Sequence, residues 1–452
     1  MLQIVTALLS ALEERLDEPT ARGLAHAVSR AMRDGAVGVG DKLPPIRTVA
    51  TELGLSPTTV SAAWSLLARS GAIHTDGRRG TTIADPQGGS LARYRRAIDR
   101  RTPFSLDLST GVPDPALLPD LTRALATLGR TSVPASYLDD PVLPDLALLL
   151  RQEWPYPVEE IAVVDGAMDG LELLVRSVLR FGDRVVVESP GFAPLLDLLE
   201  SIGADVVGVG LDPSGLDPAE LAAAMDPAPV AVFLQPRAQN PTGASLTEAR
   251  AAELAAILSG TDTLVVEDDS AGAVAVSEPI SLGRWRPERT VHIRSFSKSH
   301  GPDLRLAALS APEPVLRAML GRRALGQGWS SRLLQRLLHA LLTDPVSVAQ
   351  VAAARDSYAR RREELVAALA ARGIALPPGD GINLWLPVAD ENAAVVRLAS
   401  QGIGVAPGSP FTVRPEAVEH VRVTVGSLGE RIPEVADALV AAARAGSWSG
   451  VR

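Results

Sequence analysis

The chain of 452 residues contains no cysteine, which excludes disulfide bonds, thiolate metal centres and cysteine nucleophiles and fits a reducing compartment. Its six histidines form no close ligand pair, so no metal site is expected. No uncharged apolar run approaches the roughly 18 residues of a membrane span. The apolar opening MLQIVTALLSALEERL has no basic leader and meets Glu13 and Glu14 too early for a secretory signal, so it reads as an amphipathic helix. A cytoplasmic protein without a membrane partner is the expectation.

Charge is also sparse, at 21% of residues, and the formal net charge of −9 argues against a body that wraps nucleic acid. The distribution is uneven. Residues 1–96 hold 12 Lys and Arg against 9 Asp and Glu, so that segment stands at +3 and the remainder at −12. Any nucleic-acid contact therefore belongs at the N-terminus. An apolar fraction of 46% supplies a packed core, and the length predicts two or three domains. A Gly-Gly-Ser break followed by a basic, weakly patterned stretch, ADPQGGSLARYRRAIDRRTPFSL, marks a linker at 85–106 between domains at 1–84 and 107–452.

Ahead of the linker, helical periodicity runs over 46–53 and again over 57–69, separated by Gly54-Leu55-Ser56. Ser56 is placed to cap the second helix, leaving Pro57, Thr58 and Ser61 near its exposed first turns. HTDGRRGTTIA follows as a hairpin pattern around Arg78 and Arg79. Helix, turn, helix and basic wing form a DNA-reading arrangement, with the second helix in the major groove and the wing on the minor groove or phosphates.

After the linker, strand-like runs at 185–189, 231–235, 263–268 and 291–297 alternate with helix-like stretches, the rhythm of a mostly parallel sheet between helices. Functional residues of such sheets collect at the carboxyl ends of strands. Four polar clusters fall there: Gly166-Ala167-Met168-Asp169-Gly170, Asn240-Pro241-Thr242-Gly243, Asp268-Asp269 and Ser295-Phe296-Ser297-Lys298. The first opens a helix whose leading amides suit a phosphate.

Residues 19–84, with LPPIR, LGLSPTTV and RRGTT in order, resemble the winged helix-turn-helix of the GntR regulator family. The resemblance implies contacts of Arg47, Ser56, Thr58, Thr59, Arg78 and Arg79 with operator DNA. Residues 107–452 resemble fold-type-I pyridoxal phosphate enzymes, the aspartate aminotransferase superfamily, with a smaller C-terminal α+β subdomain. That resemblance implies pyridoxal 5'-phosphate as cofactor and makes Lys298 the lysine of the internal aldimine. Asp268 becomes the partner of the pyridine nitrogen, Asn240 the donor to the phenolic oxygen and Phe192 the ring stacked on the cofactor. Ser295, Ser297, Arg305 and the Gly166, Ala167 and Met168 amides become the phosphate cup, to which a second subunit lends Tyr137. Arg422 becomes the grip on a substrate carboxylate.

A GntR-type head fused to an aminotransferase-like body resembles the MocR group, which includes regulators of GABA, taurine, vitamin B6 and transport genes. The group implies a head-to-tail homodimer whose body senses an amino acid, an amine or pyridoxal phosphate itself. An active aminotransferase carrying a DNA-binding head is the rival reading, and a cofactor-free interaction platform a third. Two departures matter: Ser270 stands where many MocR relatives carry a tyrosine that holds the phenolic oxygen, and Pro194 where GABA-responsive relatives carry arginine. The first predicts a lost hydrogen bond at the cofactor, and the second argues against GABA.

Overall fold

A computed structural model describes residues 2–33, 36–38, 40–69, 73–76, 80–83, 104–128, 136, 140–414, 417–429 and 431–446. The chain divides into two compact units, one holding residues 1–93 and the other most of 94–452. Most of the expected linker lies outside the described residues. Among the described residues no single helix is long and apolar enough to cross a membrane.

The N-terminal unit contains α1 (Leu2–Glu13), α2 (Ala21–Arg33), α3 (Ile46–Glu52) and α4 (Pro57–Arg69), then the antiparallel pair β1 (Ile73–Asp76) and β2 (Gly80–Ile83). Its helices bury one stripe each: Leu8 and Leu12, Leu24 and Val28, Val49 and Ala50, and Val60, Ala63, Trp64 and Leu67. Leu43 and the strand residues Ile73 and Ile83 close this core, while Leu53 is only half-buried. The turn between α3 and α4 needs a left-handed residue, and Gly54 supplies φ +65° without a Cβ penalty. Helix α4 starts at Pro57, which needs no amide partner in the first turn, and the Thr59 amide donates to Ser56 Oγ at 3.0 Å. With its apolar stripe turned inward, α4 exposes Pro57, Thr58, Ser61, Ala62 and Ser65.

The C-terminal unit starts with β3 (Leu106–Asp107) and continues through β4 (Ala162–Val164), β5 (Arg184–Glu188), β6 (Asp205–Val209) and the small hairpin β7 (Leu211–Asp212) and β8 (Gly215–Leu216). It then adds β9 (Ala231–Leu234), β10 (Leu264–Asp269), β11 (Thr290–Ser295) and β12 (Ala307–Ser310). Seven of these form one sheet in the order β4-β12-β11-β10-β9-β5-β6. Strand β10 is parallel to β11 and β9, β9 is parallel to β5, and β12 runs antiparallel to both β11 and β4. Two reversals restore direction, so β4 points the same way as β11. The carboxyl ends of β4, β11, β10, β9 and β5 therefore share one edge. Strands β9 and β10 are buried along their whole lengths, as sequences covered on both faces must be.

The smaller subdomain is built on β13 (Asn383–Val388), β15 (Ala406–Pro407) and β16 (Glu419–Thr424), an antiparallel sheet with β16 in the middle. Helices Glu391–Ser400 and Ile432–Ala443 supply its other layer, and β14 (Ile403–Gly404) pairs in parallel with β3. Leu384, Leu386, Val421, Val423 and Leu439 form its core.

Replacing Ser56 by Ala removes the cap of α4 and is expected to destabilise the N-terminal unit by about 1 kcal/mol. Ser56→Asp, which keeps an acceptor, is expected to hold the parental value. Chemical denaturation of the three chains checks both.

Candidate functional site

Strand β4 ends just before Gly166, where φ is +97° and the chain turns into the helix Ala167–Val178. A Cβ at this glycine would lie 2.9 Å from Nη2 of Arg305, so the guanidinium reaches the helix entry only because no side chain is there. Arg305 adopts left-handed backbone, φ +49°, and its Nη2 donates to the Asp165 carbonyl at 3.0 Å. Ser295 Oγ lies 3.3 Å from Ser297 Oγ and accepts from the Ser297 amide at the same distance. Hydroxyls, a helix entry and a guanidinium together suit a phosphate dianion.

These groups border a cavity of about 130 Å³, lined also by Phe192, Asn240 and Lys298. Of the residues expected around a cofactor, Ala167, Met168, Phe192, Asn240, Ser295, Ser297, Lys298 and Arg305 all line it. Gly166 sits beside it and Asp268 behind Ser270, which lines it. Tyr137 lies outside the described residues.

Lys298 donates through Nζ to the Gly111 carbonyl at 2.6 Å. Burial, followed by the nearby Arg422 charge, pulls its ammonium down to about 8, against the pull of Asp268. At neutral pH about one-tenth of such an amine is unprotonated, compared with less than one in a thousand for an ordinary lysine. That fraction makes it a usable nucleophile. Arg422, in the central strand β16, is 2% exposed. Its Nη2 donates to the Ser109 carbonyl, its Nη1 to Asn240 Oδ1 at 3.2 Å, and its guanidinium lies 4.9 Å from the centre of the Phe411 ring. A Cβ on Gly111, at φ +66°, would touch that guanidinium at 3.4 Å.

Asp268 is buried at the end of β10. Its Oδ2 accepts from Gln235 Nε2 at 2.8 Å and from Ser270 Oγ at 2.6 Å, while its Oδ1 is buried without any hydrogen bond. Burial pushes its carboxyl above the usual carboxylate range, against the two hydrogen bonds that pull it down. A buried acceptor of this kind is costly until a donor meets it, and the protonated ring nitrogen of pyridoxal phosphate is such a donor. Asp268 would hold the ring, Lys298 the aldehyde carbon, and Arg305 with Ser295 and Ser297 the phosphate. When bound, that group supplies an aldehyde and an electron-accepting ring.

The loss expected at Ser270 takes a different form. The hydroxyl is too short to replace a tyrosine, yet it is engaged by Asp268. Sequence reasoning missed Gln235, and it missed the carbonyls of Ser109 and Gly111, which carry no side-chain signal. The only mark of Gln235 is a polar amide ending the apolar run AVFLQ.

In the N-terminal unit Arg47 and Thr58 are exposed and Thr59 is half-buried. Ser56 Oγ lies 2.7 Å from Thr58 Oγ1 and 2.8 Å from Thr59 Oγ1, so the three expected DNA-contacting hydroxyls form one cluster at the start of α4. Arg78 and Arg79 lie outside the described residues.

Because folding lowers the Lys298 value, the unfolded chain binds more protons between about pH 8 and the ordinary lysine range. The stability of the cofactor-free chain is expected to rise with pH across that window as the buried charge is lost, and Lys298→Met is expected to remove the increment. Denaturation midpoints below about pH 8 and near the ordinary lysine range, about 10.4, read the difference. Gly166→Ala, which is strained by positive φ and crowds Arg305, is expected to weaken pyridoxal phosphate binding about tenfold, a cost of order 1–2 kcal/mol. Equilibrium titration with the cofactor measures it.

Residues 105–439 match the family of aminotransferase class I and II, and residues 20–83 match the gntR family of bacterial regulatory proteins. The chain is 38% identical over 427 residues to the vitamin B6 salvage pathway transcriptional repressor PtsJ of Salmonella typhimurium, covering 92% of this chain and 96% of that one. It is 32% identical to the pyridoxine biosynthesis transcriptional regulator PdxR of Corynebacterium glutamicum, over 69% and 70% of the two chains. Among solved structures, aspartate aminotransferase from Thermus thermophilus with maleate superposes with a TM-score of 0.66 at 25% identity, covering 78% of this chain and 100% of that one. The α-aminoadipate aminotransferase LysN of the same genus shares the fold, with a TM-score of 0.67 at 22% identity over 75% and 92% of the chains. A gntR-type DNA-binding head joined to a fold-type-I body makes this chain a member of the aminotransferase class I and II family in its MocR-type regulator branch.

Proposed function

We propose that the chain is a pyridoxal phosphate-dependent transcriptional regulator whose body senses pyridoxal phosphate itself, or an amino compound that reacts with it. The observation that carries this reading is Asp268 Oδ1, a buried acceptor without a hydrogen bond behind Ser270 at the wall of a cavity that also holds a lysine with a lowered proton affinity, on the same chain as a DNA-reading head. The relatives named for vitamin B6 salvage and pyridoxine biosynthesis favour the cofactor as the effector. Arg47, Ser56, Thr58 and Thr59, with the Arg78–Arg79 wing, contact the operator; Arg422 receives the carboxylate of an amino-acid effector.

Function as a homodimer is part of the proposal. Leu121, Leu125, Leu148 and Leu333 are exposed on helices Leu121–Leu128, Pro144–Gln152 and Arg332–Thr343, and the third of these packs against the other two. Leucines so grouped suit a second copy of the chain. The convergence of Lys298, Asp268 and Arg422 also favours a second reading, residual aminotransferase activity, which release of a keto acid from an amino donor would reveal.

The chain is expected to retard its own promoter DNA in a salt-sensitive manner, and pyridoxal phosphate is expected to shift the affinity at least several-fold, a coupling of about 1–3 kcal/mol. Lys298→Ala is expected to lose the visible absorption of the cofactor-loaded chain and the response to cofactor, while cofactor-free DNA binding persists. Arg47→Ala is expected to weaken DNA binding and lower the salt slope by about one, with an unchanged spectrum. Footprinting alongside absorption spectra distinguishes the outcomes, and retardation indifferent to both cofactor and amino compounds would remove the sensing role.

A further inference from the structure

The hydrogen bonds behind the cavity form a closed set. Gln235 follows the last residue of β9, and its Nε2 donates to Asp268 Oδ2 at 2.8 Å and to Ser270 Oγ at 3.3 Å. The Ser270 hydroxyl spends its single proton on the same Oδ2, at 2.6 Å. Gln235 Oε1 accepts from the Asn240 amide at 2.7 Å, which sets the amide's orientation: turning it over would place oxygen against carboxylate and nitrogen against N–H. Asn240 Oδ1 accepts from Arg422 Nη1 at 3.2 Å, so Asn240 Nδ2 points away from that guanidinium. One glutamine thus ties the buried carboxylate to the backbone of the asparagine that lines the cavity.

We propose that Gln235 and Ser270 are positioning residues for the cofactor ring: both donate to Oδ2 of Asp268, which leaves Oδ1 as the acceptor for the ring nitrogen's proton. The inference rests on the pyridoxal phosphate reading above. Ser270 stands where the MocR resemblance places a tyrosine directed at the phenolic oxygen, so in this chain the hydroxyl serves the pyridine end of the ring instead. Gln235 extends the same control to Asn240 by holding its backbone. Two charge-assisted hydrogen bonds on one oxygen lower the basicity of the whole carboxylate. When one is removed, the proton shared with the ring nitrogen moves toward Asp268. The ring then withdraws fewer electrons, and the protonated nitrogen at Lys298 gives up its proton less readily.

The test is a spectrophotometric pH titration of the full-length chain loaded with pyridoxal phosphate, comparing the parent with Ser270→Ala, Ser270→Thr and Gln235→Leu. Ser270→Ala is expected to move the midpoint of the visible band upward by about half a pH unit or more. Ser270→Thr, which retains the hydroxyl, is expected to return it to the parental value. Gln235→Leu is expected to shift the midpoint the same way and to weaken cofactor binding as well. A Ser270→Ala chain that is folded by circular dichroism and titrates at the parental midpoint overturns the proposal, as does a threonine variant shifted as far as the alanine one. If the parent develops no visible band, the cofactor reading fails and the positioning roles fall with it. A parental band that the substitutions leave unmoved removes the positioning roles alone.

Discussion

Asp268 is the group around which the rest of the body is organised. A carboxyl group inside a fully buried strand is tolerated only where hydrogen-bonding partners meet it, and the chain supplies donors to one of its two oxygens. The other oxygen has no hydrogen-bond partner among the described residues. A protonated heterocycle carrying an aldehyde and a phosphate would bring that oxygen a donor, with Lys298 and Arg305 lining the same cavity.

Two cations, Lys298 and Arg422, stand within electrostatic reach of each other, and their repulsion helps to lower the lysine's proton affinity. Backbone carbonyls from a single stretch moderate this charge, Ser109 accepting from Arg422 and Gly111 from Lys298. Asp107 steadies the stretch by accepting from both the amide and the hydroxyl of Ser109, and Thr424 donates its amide to the Leu108 carbonyl. Glycine at 111 satisfies two demands, a positive φ and close approach to a guanidinium.

The N-terminal unit follows a different physical plan. Its helices spend their apolar residues on a small shared core, and α4 is left with an outward face of proline, threonine, serine and alanine. Those exposed residues carry no charge, whereas Arg47, on α3, is an exposed cation. Phosphate contacts place a protein on the duplex while groove contacts select the sequence.

Much of this was legible in the sequence because it rests on local patterns. Apolar runs located β5, β9, β10 and β11, a glycine turn with a capping serine separated α3 from α4, and the order of polar clusters at strand ends announced the cofactor site. Residues distant in sequence were less accessible. Nothing local shows that Gln235 reaches both Asp268 and Asn240, that Ser270 turns its hydroxyl to the carboxylate, or that the Ser109 and Gly111 carbonyls meet Arg422 and Lys298. Side-chain type and periodicity are properties of the chain itself, so the sequence alone determined the two-part architecture, and its resemblance to fold-type-I pyridoxal phosphate enzymes pointed to Lys298. Which acceptor each buried donor meets depends on how strands separated by up to some 300 residues are brought together, and only the tertiary structure decided that Asp268 would keep one oxygen open.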